Sequence, residues 1–146
     1  LKEMAPDEQA FRDLVRSWFG HSSLFETLKG IAQTNAVVVL TTDHGAVRSN
    51  RATIVHGDRD TSNNLRYKYG RNLRCEGRDA LLIDKPERYG LPNAGLGANF
   101  ILAKEDFYLV YPTNFNEYQR QYKDSFQHGG ISLEEMVLPV AIMESK

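Results

Sequence analysis

Residues 36–45 read AVVVLTTDHG, an apolar and largely β-branched run that stops on an acid, an imidazole and a glycine. Val37, Val38 and Val39 carry no alternating polar face, which is the pattern of a strand buried on both sides in a parallel sheet covered by helices. Neighbouring side chains on an extended strand point to opposite faces, so Asp43 and His44 serve one point only if the backbone turns there. Gly45 permits such a turn.

Two helices are expected before this strand. Asp7 is placed to cap the first, whose Ala10, Phe11, Leu14, Val15, Trp18 and Phe19 recur at one-face helical spacing. After the break at "GHSS", Ser23 and Glu26 have capping-box spacing, and Leu24, Leu28 and Ile31 share a face. Helix, helix and buried strand imply an α/β layer architecture, with a mostly parallel sheet flanked by helices.

Beyond the glycine the texture changes. "RATIVHG", "NLRYKYG" and "DALLID" are short strand candidates, and "NFILAKEDFYLVYP" reads as a hairpin turning at Lys104, Glu105 and Asp106. Residues from about 46 to 110 thus form a β-rich insertion. "ERYGLPNAGLGANF" reads as a loop, because its glycines do not follow a strand and open a helix as a phosphate-cradling motif requires. "NFNEYQRQY" predicts a short helix capped by Asn114, and Ser132 with Glu135 a second capping box that opens a helix stopped by Pro139. "VAIM" is a last strand candidate.

The bulk numbers confine the function. A chain of 146 residues, 41% hydrophobic and 25% charged, is expected to form one domain with an ordinary core. A net charge of -1 gives no global attraction to nucleic acid or anionic membrane, and no apolar run is long enough to cross a bilayer. Cys75, the one cysteine, forms no internal disulfide and no cysteine-based zinc motif. A cytoplasmic setting is expected. The opening "LKEMAPDEQ" has neither an initiator Met nor a signal-peptide pattern, and reads as the start of a fragment.

Asp43, His44 and His128 are the residues whose chemistry stands out. Each sits where an apolar element meets a glycine turn, and carboxylate with imidazole suits zinc or a similar divalent ion. The plainer alternative is that Asp43 caps a turn and His128 borders a loop. Arg48, Arg51, Arg59, Arg66, Lys68, Arg71, Arg74 and Arg78 crowd one stretch with Tyr67 and Tyr69. That suits a phosphate or oligonucleotide surface, but alternation on the solvated faces of short strands explains it more simply. Arg48 and Arg51, nearest the Asp-His pair, are the substrate-binding candidates. His21 and His56 are read as structural or exposed, and Glu134 and Glu135 as helix-start residues.

The order of "TTDHG", a long insertion and "HGGISLEEMVLPV" resembles the C-terminal half of alkaline phosphatase superfamily domains, in particular PglZ domains such as those of PorX-like response regulators of type IX secretion. The resemblance spans essentially residues 1–146 and implies a C-terminal fragment lacking the receiver domain and the first half of its own domain. It implies a two-zinc site in which Asp43 and His44 hold one ion and His128 the other. No catalytic nucleophile is expected in these residues: the Ser or Thr nucleophile and the remaining ligands would lie upstream, and Thr41 and Thr42 are read as strand-end residues. The implied activity is that of a zinc-dependent phosphodiesterase or phosphatase, absent from the fragment alone. The implied partners are a phosphorylated small molecule or oligonucleotide, a sensor kinase and a sigma-type transcription factor. A second reading is a non-catalytic metal-binding platform, with Phe107, Tyr108, Tyr111, Phe115, Tyr118 and Tyr122 as a partner or homodimer surface.

Overall fold

A computed structural model describes residues 5–58, 62–92 and 95–145. The chain divides into two compact units, Leu1–Asp43 with Leu138–Lys146, and His44–Val137.

In the first unit, α1 (Glu8–Gly20) starts at Asp7, whose carboxylate accepts the Ala10 N–H at 2.8 Å. The second helix, α2 (Ser23–Ile31), is capped by Ser22 rather than by Ser23 as expected. Ser22 is extended and accepts the Phe25 N–H at 3.2 Å, while its hydroxyl donates to the Phe19 carbonyl. One side chain thereby closes α1 and opens α2. Phe19 and Phe25 pack across the corner with ring centroids 5.3 Å apart.

The apolar run forms β1 (Val37–Leu40), but it is not the doubly buried parallel strand expected. It pairs antiparallel with a strand from the end of the chain (Ala141–Glu144), and Val37 and Val39 are 59% and 60% exposed. A run of valines says that both faces avoid water; it does not name the partners that cover them. Among the described residues of this unit β1 has that one neighbour.

The second unit holds β2 (Val47–Ser49), β3 (Arg51–Ile54), β4 (Tyr67–Arg71), β5 (Ala80–Ile83), β6 (Ala98–Ala103), β7 (Phe107–Val110), α3 (Phe115–Tyr122), β8 (Ser125–Gln127) and α4 (Leu133–Met136); the terminal strand of the first unit is β9. A 3-10 turn at Pro86–Tyr89 occupies the glycine-rich loop, part of which (93–94) lies outside the described residues. The β-rich texture expected over 46–110 is present, and α/β describes the chain, but the pairing is mostly antiparallel. β2 pairs with β8 and β6 lies between β4 and β5, all antiparallel, whereas β3–β7 is parallel.

β6 and β7 therefore do not form the expected hairpin. Both edges of β6 are taken by β4 and β5, and Glu105 turns the chain at φ +41° so that β7 pairs with β3 instead. The core lies beneath this junction, where Val55, Leu73, Ala80, Ile101, Ala103 and Leu109 pack together with Cys75 and Phe107 against them. Among the described residues no helix is long and apolar enough to cross a membrane.

Candidate functional site

Antiparallel pairing of β2 with β8 sets Val47 opposite Gln127. Residues just before β2 and just after β8 therefore run side by side, which carries His44 to His128. Their rings stack with centroids 4.0 Å apart and planes within 13°. The His44 Nδ1 lies 2.8 Å from the Gly45 carbonyl. A carbonyl only accepts, so Nδ1 is the donor in this contact, and Nε2 is the nitrogen through which the ring would hold a metal.

The glycines beside the histidines serve packing. A Cβ on Gly45 would sit 1.8 Å from the Glu134 carbonyl oxygen. On Gly130 it would sit 2.6 Å from both the Ala103 carbonyl and an Arg66 nitrogen. Side chains at either position would push apart the loops that carry the imidazoles.

Behind the loops lies a buried ion pair that sequence reasoning missed. Arg66 Nε and Nη2 donate to the two Glu135 oxygens at 3.0 and 2.6 Å. The same carboxylate accepts from the Gly130 N–H at 2.9 Å and from the Ser132 N–H at 3.0 Å, the latter being one half of the expected capping box. Arg66 also donates to the Phe107 and Glu105 carbonyls. Burial alone pushes the Glu135 carboxyl up. The Arg66 hydrogen bond, the Gly130 and Ser132 N–H groups and the Arg66 charge outweigh it and hold the acid below its usual range.

Arg66 and Lys68 were expected on a solvated face, and the reverse is found. Both are buried, whereas Tyr69 is 41% exposed. The alternation is real but inverted, because loop and strand carbonyls in the interior solvate the cations. Lys68 Nζ donates to the Ser62 and Asn64 carbonyls and lies 4.4 Å from the Tyr111 ring centroid. Burial lowers its pKa to about 8.

Arg48 faces Asp124, with 3.5 Å between Nη2 and Oδ1, and Arg51 pairs with Glu105 and Asp106 and stacks on Phe107. Arg59 lies outside the described residues. His21 Nδ1 bonds the Ser17 carbonyl, and the His56 backbone pairs with Arg74. Tyr108, one of the aromatic residues considered for a partner surface, is fully buried.

Asp43 is the last residue of its stretch of the first unit, where Thr42 Oγ1 donates to it at 3.4 Å. The Thr41 hydroxyl is bonded to the Pro139 carbonyl. Among the described residues no three His, Cys, Asp or Glu side chains gather as a metal-holding group. The donor set fits part of a metal site: two imidazoles on adjoining loops, one with its Nδ1 engaged by a carbonyl.

No curated protein matches the chain. The family model of the BREX system PglZ alkaline phosphatase-like domain matches residues 2–143. With nearly its whole length accounted for by that pattern, the chain belongs to the PglZ family of alkaline phosphatase-like domains.

Proposed function

We propose that this chain is the metal-ligand-bearing part of a phosphatase-like hydrolase domain acting on phosphate esters, with zinc as its ion. The observation that carries the reading is the His44–His128 stack. Two near-parallel imidazoles 4.0 Å apart bring two nitrogen ligands close enough to serve neighbouring ions of a two-metal phosphoryl-transfer site. His44 would serve one ion, together with Asp43, and His128 its neighbour. Bound divalent ions polarise the phosphoryl oxygen and stabilise the leaving oxygen.

The chain's own contribution is to hold two imidazoles in register and to engage the His44 Nδ1, leaving Nε2 for the metal. As the family resemblance implies, we take the further ligands and the nucleophile to come from outside these residues. Arg48, which faces Asp124, is the arginine nearer the His44 turn in sequence and the candidate to bind a substrate phosphate. Arg51 is held by two carboxylates. In a PorX-like regulator of type IX secretion such a domain would be the output of a phosphorylated receiver, in contact with a sigma-type factor.

A second reading, a non-catalytic platform, draws on the exposed apolar residues Val37, Val39 and Ile142 of the β1–β9 ribbon. Zinc content and hydrolysis of bis(p-nitrophenyl) phosphate, measured on the full-length protein and its His128→Ala variant, separate the two. Turnover that falls at least about 100-fold with loss of zinc supports the hydrolase. Zinc bound without turnover in the parent supports the platform, and a parent with no zinc overturns both.

A further inference from the structure

The two histidine loops share one support. Glu135 binds the His128 loop through its carboxylate, which accepts the Gly130 N–H at 2.9 Å. It binds the His44 turn through its main chain, its carbonyl accepting the Gly45 N–H at 3.1 Å. The residue itself is fixed on two sides: Arg66 clamps the carboxylate with both prongs of its guanidinium, and the Ser132 N–H ties it to the start of α4. Arg66 is anchored in turn by the Phe107 and Glu105 carbonyls around the turn between β6 and β7.

From this geometry we propose that Glu135 is a positioning residue that sets the register of His44 against His128. Neither imidazole is on a long element. His44 precedes a three-residue strand and His128 follows one. The β2–β8 ladder brings the loops side by side, but three residue pairs leave its ends free to fray. Glu135 closes that end, with one hydrogen bond to each loop from a group that is itself immobilised and 4% exposed. The close packing of Gly45 against Glu134 and of Gly130 against Arg66 leaves no slack in either loop. Ordinary helix capping does not require this arrangement, since a capping glutamate bonds its own N-cap and has no need of a buried arginine or a second loop.

The consequence for metal affinity rests on the reading of these histidines as ligands; the setting of the rings does not. Outer residues that orient metal-ligating histidines are typically worth about 10–100-fold in affinity. The test uses the full-length protein with carbon-13-labelled histidine, comparing wild type, Glu135→Gln, Glu135→Asp and the core variant Leu73→Ala. Two quantities are read: the upfield ring-current displacement of the His44 and His128 imidazole protons, and Zn²⁺ affinity by chelator competition.

In folded Glu135→Gln the displacement is expected to collapse and Zn²⁺ affinity to fall about 10–100-fold. Glu135→Asp, which keeps the charge but withdraws it by one methylene, should fall between this variant and wild type. Leu73→Ala lowers stability without touching either loop and should leave both readings at the wild-type level. If Glu135→Gln does not fold, the comparison of Glu135→Asp with Leu73→Ala carries the same expectations. Retained stacking in a folded Glu135 variant, or equal loss in Leu73→Ala, overturns the proposal. A wild-type protein that binds no Zn²⁺ overturns the metal reading instead and leaves the ring displacement to decide this one.

Discussion

Arg66 and Glu135 meet as a two-pronged ion pair with 0% and 2% of their side chains exposed. A pair this dry is strong only while complete, because loss of one member strands the other charge without water. Arg66→Ala is expected to destabilise the second unit by about 3–5 kcal/mol, measured by urea unfolding. Replacing both by apolar residues of similar volume should not restore stability here, unlike for an isolated pair. The Gly130 and Ser132 N–H groups and the carbonyls that Arg66 serves would be orphaned, at about 1–3 kcal/mol for each buried group left unsatisfied.

The same pair predicts an acid sensitivity. Glu135 is held below its ordinary value of 4.5, so in the acid range the unfolded chain binds a proton more readily than the folded one. Its contribution to stability is complete above that value and is lost as pH falls through the lower folded one. Stability against pH, followed by urea titration between neutrality and the acid limit, should drop less steeply in Glu135→Gln than in wild type.

Lys68 gives the same sign in the alkaline range, from a cost relieved rather than a contribution gained. Its pKa is about 8 in the folded protein against an ordinary 10.5, so the unfolded chain holds the extra proton between those values. The cost of burying the cation is fully present below pH 8 and is relieved as pH rises toward 10.5. Relative to Lys68→Met, the wild-type protein should gain on the order of 3 kcal/mol across that window, read from paired denaturation curves.

Glycine substitutions should divide by location. Gly45→Ala places a methyl 1.8 Å from the Glu134 carbonyl oxygen, and the main chain must move to admit it. The expected loss is at least about 1–3 kcal/mol, accompanied by loss of the imidazole stack. Gly30→Ala, within α2 and facing open space, should raise helix stability by about 0.5–1 kcal/mol. Thermal unfolding of the two variants checks both signs.

Arg51→Ala removes pairs with Glu105 and Asp106 and a stack on Phe107. With the Arg51 side chain 48% exposed, these contacts are screened, and a loss of about 1 kcal/mol or less is expected in a chemical melt.

Much of the local structure was legible. The Asp7 cap, the Ser132–Glu135 box, the helix at Phe115–Tyr122 and most strands of the second unit follow from spacing and turn residues that act within a few positions. Edges were not legible. The expected β6–β7 hairpin failed because β6 had already given both its edges to β4 and β5, a competition between distant segments. The valines of β1 announced aversion to water but not the antiparallel partner at the other end of the chain.

The candidate site divides the same way. Sequence alone singled out His44 and His128, because an imidazole followed by glycine at the end of an apolar element is a local pattern, and family resemblance gave it chemical meaning. Only tertiary structure put the two rings 4.0 Å apart, through a three-pair ladder joining residues far apart in the chain. It alone turned the Arg66 and Lys68 face inward, since alternation along a strand says which side chains share a face and not which face meets water. The burial of Glu135 likewise depended on Arg66 arriving from a remote strand end: a carboxylate enters a core only where a partner cation and N–H groups await it, and that meeting has no signature within either segment.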